Sequence, residues 1–256
     1  MELSIIIPVY NEEKRIGKTL SELQEYLSKC KLEYEVIVVD DGSTDQTSFM
    51  LYRYKSFIKI LPVWPNRGKG HAIRLGMLMA SGQKILFMDA DLATPLYEVK
   101  KILQISGDYD LVIGSRSDQK IAKRERFRSL CAKIFNSVTK VIFPLQIKDT
   151  QCGFKLFTNA AAKEIFSRAR INRWAFDIEV LFLAKKLGFS IGEQSVAWEE
   201  KAGSKVRMFR DASRMIVDLV RIRIYNLFDF YHLKAEERSE DDSFAISQKP
   251  QEIKEL

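Results

Sequence analysis

The chain has 256 residues, of which 46% are hydrophobic, with 12 glycines and 6 prolines. That content supports one sizeable buried core with a modest appendage and excludes fibrous and wholly disordered classes. A formal charge of +7 and a pI near 9.2 point to anionic partners, whether nucleotides, phospholipid headgroups or nucleic acid.

The three cysteines, Cys30, Cys131 and Cys152, have no CxxC or metal-like spacing, and with only two histidines, His71 and His232, a zinc cluster is not expected. Reduced thiols fit a cytoplasmic setting. The chain enters a strand directly at MELSIIIPVY, so no secretory leader is expected. Its longest uncharged runs are nine residues, Leu3–Asn11 and Leu75–Gln83. A membrane span needs roughly 20 apolar residues, so the chain is not expected to cross a bilayer.

In chain order, Ser4–Ile7, Glu35–Val39, Phe57–Leu61, Lys84–Met88 and Leu111–Ile113 read as short strands. Amphipathic stretches at Glu12–Leu27, Thr44–Tyr54, Lys69–Ala80 and Tyr97–Leu103 read as the helices between them. This alternation predicts a mainly parallel α/β sheet, which binds ligands at the carboxyl ends of its strands. Polar residues cluster at those ends: Tyr10-Asn11-Glu12, Asp40-Asp41-Gly42-Ser43, Asp89-Ala90-Asp91 and Ser115-Arg116. A basic helix over Lys123–Phe143, a loop at Asp149–Gly153, a helix over Phe176–Leu187 and a strand near Ser190–Trp198 complete the expected domain, residues 1–204. Residues 205–235 form an expected amphipathic, membrane-associating segment. In it Arg207, Arg210, Arg214 and Arg221 share one helical face, while Met208, Ala212, Met215, Leu219 and Ile222 share another. The tail, 236–256, carries seven acids against three bases and reads as disordered. No internal repeat is visible.

Asp89-Ala90-Asp91 carries the sharpest chemistry. Two carboxylates at the tip of an apolar strand can hold a Mg²⁺ or Mn²⁺ ion together with phosphate oxygens, and that ion would neutralise a departing nucleoside diphosphate. A phosphatase with an aspartyl nucleophile would need DxDx[TV], but the residue four after Asp89 is Ala93, and Thr94 comes one place late. In Asp40-Asp41-Gly42-Ser43-Thr44-Asp45, Gly42 supports a tight turn, Ser43 or Thr44 can cap the following helix, and two acids suggest recognition of a base. Asn66-Arg67-Gly68-Lys69-Gly70 matches neither GxxxxGK[ST] nor GxGxxG, which argues against nucleotide kinases and dehydrogenases. It can still present amides and a cation to phosphates.

The motifs IIIPVYNEE, VIVVDDGSTDQT, NRGKGHAIRLG, MDADLATP and IGSR, in that order over residues 3–116, resemble family-2 glycosyltransferases of the GT-A fold. DTQCGFKLFTNAAA, RWAFDIEVLFLA and the later GSK extend the resemblance to about residue 230 and look most like dolichyl-phosphate β-glucosyltransferases. The resemblance implies a Rossmann-like mixed, mainly parallel sheet. It also implies a UDP-glucose donor and a polyprenyl or dolichyl phosphate acceptor, while the amphipathic segment and the reduced thiols lead to the expectation of a peripheral position on the cytoplasmic face of a membrane. Carried over by position, Pro8, Tyr10, Glu12, Val39 and Asp41 match nucleotide-contacting residues, and Asp89, Ala90 and Asp91 match the diphosphate and metal segment, with Asp91 the direct ligand. Arg116 and Lys205 match residues at the donor diphosphate or acceptor phosphate, and Arg128 an acceptor-phosphate arginine.

Two departures separate the chain from mannosyltransferase relatives. Ala93 stands where they supply a second metal-side ligand, and Glu199 replaces an arginine six residues before the GSK lysine, which weakens GDP-mannose as donor. A phosphate acceptor is largely ionised at neutral pH and needs no general base. Asp177 is the candidate should a base be used. The alternatives are a transferase of the same fold acting on a glycan hydroxyl and a catalytically silent nucleotide-sugar-binding module. No recognition motif supports nucleic-acid binding.

Overall fold

The computed structural model describes residues 1–116, 139, 142–143, 145, 147–199, 201 and 208–233, the side chains of 208–212 excepted. Seven strands form a single sheet: β1 Leu3–Val9, β2 Tyr34–Asp40, β3 Lys59–Pro62, β4 Lys84–Met88, β5 Leu111–Ser115, β6 Phe154–Thr158 and β7 Ile191–Ser195. The spatial order is β3-β2-β1-β4-β6-β5-β7. All pairs are parallel except those of β6, which runs antiparallel between β4 and β5. Strand β6 is absent from the sequence expectation, because Lys155 breaks its apolar run and the preceding Gly153 reads as loop. Lys155 points into the interior instead and is fully buried.

The helices around this sheet are α1 Ile16–Ser28, α2 Thr47–Tyr52, α3 Lys69–Met79, α4 Glu98–Ile105, α5 Asn159–Arg168, α6 Phe176–Lys186 and α7 Met208–Leu227. Helix α5 also escapes the sequence pattern. Thr158 caps it by accepting from the Ala161 amide. The basic helix expected at Lys123–Phe143 falls almost wholly outside the described residues, as do Arg128, Cys131, Lys205, Arg207 and the acidic tail.

Strand β1 is the middle of the site's frame. Its residues are buried on both faces, as a central parallel strand requires. It pairs with β2 through Val9↔Asp40, but with β4 only as far as Ile6↔Phe87. The strands therefore part at their carboxyl ends, where the chain turns outward to either side, and open α/β sheets bind ligands at such a point. Helix α3 presses on this frame through Gly76, where a Cβ would lie 2.4 Å from the Ile6 side chain. That close approach brings the start of α3, Lys69, to the sheet's open edge.

The last helix departs from expectation. Leu219 and Ile222, placed on the outer apolar face by sequence, are fully buried and belong to the same core cluster as the sheet, and Met215 packs partly against it. Tyr231, just beyond the helix, is buried and donates to Glu179 Oε1 at 2.8 Å. A different apolar row is exposed: Ile216, Val217, Val220, Ile224 and Leu227, followed by Phe228 and Phe230. Among the described residues no helix is long and apolar enough to cross a membrane.

Candidate active site

The loops after β1 and β2 are tied together before any ligand arrives. The Asn11 amide donates to Ser43 Oγ at 2.9 Å, the Thr44 amide to Asn11 Oδ1 at 2.7 Å, and the Glu12 amide to Thr47 Oγ1 at 2.7 Å. Ser43 and Thr44 thus stitch two loops instead of capping α2, whose first amide is accepted by Asp45 Oδ1. Gly42 takes the left-handed backbone expected of its turn.

Both acids of the β2 loop are occupied. Asp40 accepts from the Ser43 amide at 3.0 Å and from Ser48 Oγ at 2.5 Å. Asp41 accepts from Asn66 Nδ2, the Arg67 amide and the Gly68 amide, at 2.8, 2.9 and 2.7 Å. The amides expected to cradle phosphates at 66–70 therefore serve Asp41 in part, and Gly68 is needed for its positive φ and its contact with Asn172. Val39 is fully buried beside Gly76, so only its backbone faces the loops, while Tyr10 is exposed and Pro8 half-buried.

The acidic turn after β4 is held from four sides. Thr19 on α1 donates to the Ala90 carbonyl at 2.6 Å. The Ala93 amide donates to Asp91 Oδ1 at 3.0 Å, and Arg15, itself paired with Glu12, lies 3.7 Å from Asp91 Oδ2. Lys69 reaches Asp89 Oδ1 at 2.5 Å. Beneath Asp89 sits Gly153, where a Cβ would lie 2.0 Å from Asp89 Oδ2.

Behind this turn lies a chain of alternating charge. Lys155, fully buried, donates to the Cys152 carbonyl at 2.6 Å and to the Asp177 carboxylate. Burial pushes the Asp177 carboxyl above its ordinary range, against the pull of Lys155 and Lys69. Burial likewise disfavours the Lys69 ammonium, but Asp89, Asp177 and Asp91 outweigh it and hold its pKa above the usual value.

Arg116, at the end of β5, is clamped by Asp149: Nε meets Oδ2 at 2.6 Å and Nη2 meets Oδ1 at 2.8 Å, while its guanidinium lies 5.4 Å from the Trp198 ring centre. This fork is the strong, orienting form of ion pair. Burial penalises the guanidinium, yet the Asp149 pairing holds its pKa above the ordinary value. Asp89 and Arg116 line one small cleft together with Thr94, Gln151 and Trp198.

The structure thus unites Asp89, Ala90, Asp91, Lys69, Asp177 and Arg116, with the loops of Pro8, Tyr10, Glu12, Val39, Asp40 and Asp41 alongside. Arg128 and Lys205 lie outside the described residues. Sequence reasoning missed Arg15, Asp149, Lys155 and Trp198. Arg15 left a local trace, three residues after Glu12, and Asp149 and Lys155 both stand in the DTQCGFKLFTNAAA segment; Trp198 meets the site only through tertiary packing. Two carboxylates at one strand tip are a fitting donor set for a divalent cation whose remaining ligands are diphosphate oxygens and water. No cluster of three or more His, Cys, Asp or Glu able to hold a metal by itself occurs among the described residues.

A mainly parallel sheet with one inserted antiparallel strand and an acidic pair at the switch point is the arrangement that the GT-A resemblance implies. A family model described as "Glycosyl transferase family 2" matches residues 4–166. The chain is 38% identical over 252 residues to a dolichyl-phosphate β-glucosyltransferase of Dictyostelium discoideum, covering 91% of this chain and 77% of that protein. It is 39% identical over 253 residues to the Homo sapiens enzyme of the same description, covering 91% and 78%. Among solved structures, glucosyl-3-phosphoglycerate synthase from Mycobacterium tuberculosis, in complex with Mn²⁺, UDP and glucosyl-3-phosphoglycerate, superposes with a TM-score of 0.63 at 18% identity, covering 86% of this chain and 78% of that one. At that identity the likeness shows the fold. The chain belongs to glycosyl transferase family 2, as a relative of its dolichyl-phosphate β-glucosyltransferases.

Proposed function

We propose that this enzyme transfers glucose from UDP-glucose to the phosphate of a dolichol or other polyprenol, with inversion at the sugar. The observation that carries the reading is the cleft in which Asp89 meets Arg116, in a chain alike over 91% of its length to named dolichyl-phosphate β-glucosyltransferases. A phosphate oxygen of the lipid attacks the anomeric carbon, the bond from that carbon to the UDP oxygen breaks, and UDP leaves with the electron pair.

Each group has a stated task in this reading. The stitched loops bearing Pro8, Tyr10, Glu12, Val39, Asp40 and Asp41 receive the nucleoside. Asp91 and Asp89 hold Mg²⁺ or Mn²⁺, which supplies positive charge against the diphosphate. Arg116, oriented by Asp149, offers its remaining guanidinium edge to a phosphate, and Arg128 and Lys205 are assigned to the acceptor phosphate. Catalysis then rests on positioning and charge complementarity. Lys155 holds one oxygen of the Asp177 carboxylate, so a proton-accepting role for Asp177 would draw on a group already engaged in a buried pair. That favours a phosphate acceptor, which needs no base, over a glycan hydroxyl.

The exposed apolar row of α7, flanked by Arg214 and Arg221, supports association with an anionic membrane surface, expected to be the cytoplasmic leaflet. The function is tested by incubating the chain with radiolabelled UDP-glucose, dolichyl phosphate and MgCl₂, then extracting with organic solvent. Label in the organic phase, absent when equally labelled GDP-mannose replaces UDP-glucose or when the metal is chelated, is the expected result. Label passing only to water-soluble glycan would replace this reading with the hydroxyl-acceptor one.

A further inference from the structure

Lys69 joins two parts of the site that would otherwise be independent. Its ammonium lies 2.5 Å from Oδ1 of Asp89, one of the two carboxylates assigned to the metal. Its backbone begins α3 immediately after Arg67 and Gly68, whose amides are held by Asp41 in the nucleoside loop at 2.9 and 2.7 Å. The same ammonium lies 5.8 Å from the centre of the Trp174 ring. The side chain is therefore anchored at the nucleoside end and delivers its charge at the metal end.

A cation on that oxygen and a divalent metal beside it repel each other. Either the metal stays out, or the ammonium finds another anion. The incoming diphosphate supplies one beside the same carboxylate. Resting on the reading of the site as a nucleoside-diphosphate site, we propose that Lys69 is the resident counter-ion of Asp89 and yields that carboxylate to the metal only when a diphosphate receives its ammonium. Lys69 is thus a positioning residue that makes metal and nucleotide bind as a pair. Metal alone binds weakly, and each ligand strengthens the other by the same factor.

The test measures Mn²⁺ binding to the full chain by electron paramagnetic resonance of the free ion, with and without UDP, for the native enzyme and for Lys69→Met and Lys69→Gln. Both substitutions replace a partly exposed side chain at a helix start, and thermal melting checks that they fold. In the native enzyme UDP is expected to tighten Mn²⁺ binding at least tenfold. In both variants Mn²⁺ alone is expected to bind at least fivefold more tightly, while the strengthening by UDP shrinks at least fivefold. Lys69→Arg, which keeps the charge, is expected to retain weak binding of the metal alone. A lysine that served only to brace the loop would loosen Mn²⁺ binding on removal. Unchanged or weaker Mn²⁺ binding in Lys69→Met and Lys69→Gln, with the UDP effect intact, overturns this inference alone. Failure of UDP and Mn²⁺ to bind the native chain at all overturns the functional reading with it.

Discussion

Lys155→Met is the most informative stability perturbation in this fold. It removes a fully buried ammonium while keeping most of the side-chain volume, so the effect is electrostatic and not that of a cavity. The loss leaves Asp177, itself only 5% exposed, as a buried carboxylate without its nearest cation, and leaves the Cys152 carbonyl without its donor. Breaking a buried pair by removing one member costs about 3–5 kcal/mol. For a domain of this size that is a fall in Tm of roughly 6–20 °C. The assay is urea unfolding followed by circular dichroism, run on Lys155→Met, Asp177→Asn and the double variant. Because both charges are gone in the double variant, its loss should fall short of the summed single losses by at least about 2 kcal/mol. A single loss under about 1 kcal/mol, or strict additivity, refutes the claim that these two charges are held by one another.

Four further outcomes follow. Asp91→Asn should lower glucosyl transfer by about 100-fold or more with little change in Tm, since its carboxylate is partly exposed and assigned to the metal; transfer near native levels removes Asp91 from the mechanism. Gly153→Ala places a Cβ where Asp89 Oδ2 now sits, 2.0 Å away, and the displaced carboxylate should cost roughly 10–100-fold in transfer, measured at saturating donor. Glu35, although burial works against its charge, is held down to about 2 by Lys59, Ser4 and Ser81. A carboxylate depressed in the folded state stabilises above its unfolded pKa and loses that contribution as pH falls. Native stability should therefore decline between about pH 4.5 and 2 by up to about 3 kcal/mol more than that of Glu35→Gln, and parallel curves in acid unfolding would contradict this. Val220→Glu with Ile224→Glu, on the exposed row of α7, should leave Tm within about 2 °C and greatly reduce co-sedimentation with phosphatidylserine vesicles. Deleting the whole segment would not test the same point, because Leu219, Ile222 and Tyr231 are part of the core.

Much of this protein is written in local pattern. Apolar runs of four to seven residues at β1, β2 and β4 could only be buried strands, and the acids at their tips follow from where each run stops. The amphipathic periods of α1 and α4 and the turn at Gly42 are local as well, so fold class, the acidic tip at Asp89 and Asp91, and the family were legible from residue order. Function within the site was less so. Asp40 and Asp41 look alike in sequence, yet one braces its own turn and the other holds the loop 66–68, because hydrogen-bond partners are chosen by neighbours in space. Lys155 stands inside the DTQCGFKLFTNAAA segment, but residue order does not say where its side chain goes, and only the insertion of β6 between β4 and β5 carries it into the interior to face Asp177. Helical period by itself does not choose between the apolar row at Leu219 and Ile222 and the one at Ile216, Val220 and Ile224. Which one the core takes depended on the position of Glu179, Phe182 and the rest of α6, a separate element earlier in the chain. Periodicity is a property of neighbouring residues and survives in the sequence, whereas charge pairing and face selection depend on distances that exist only once the sheet has closed.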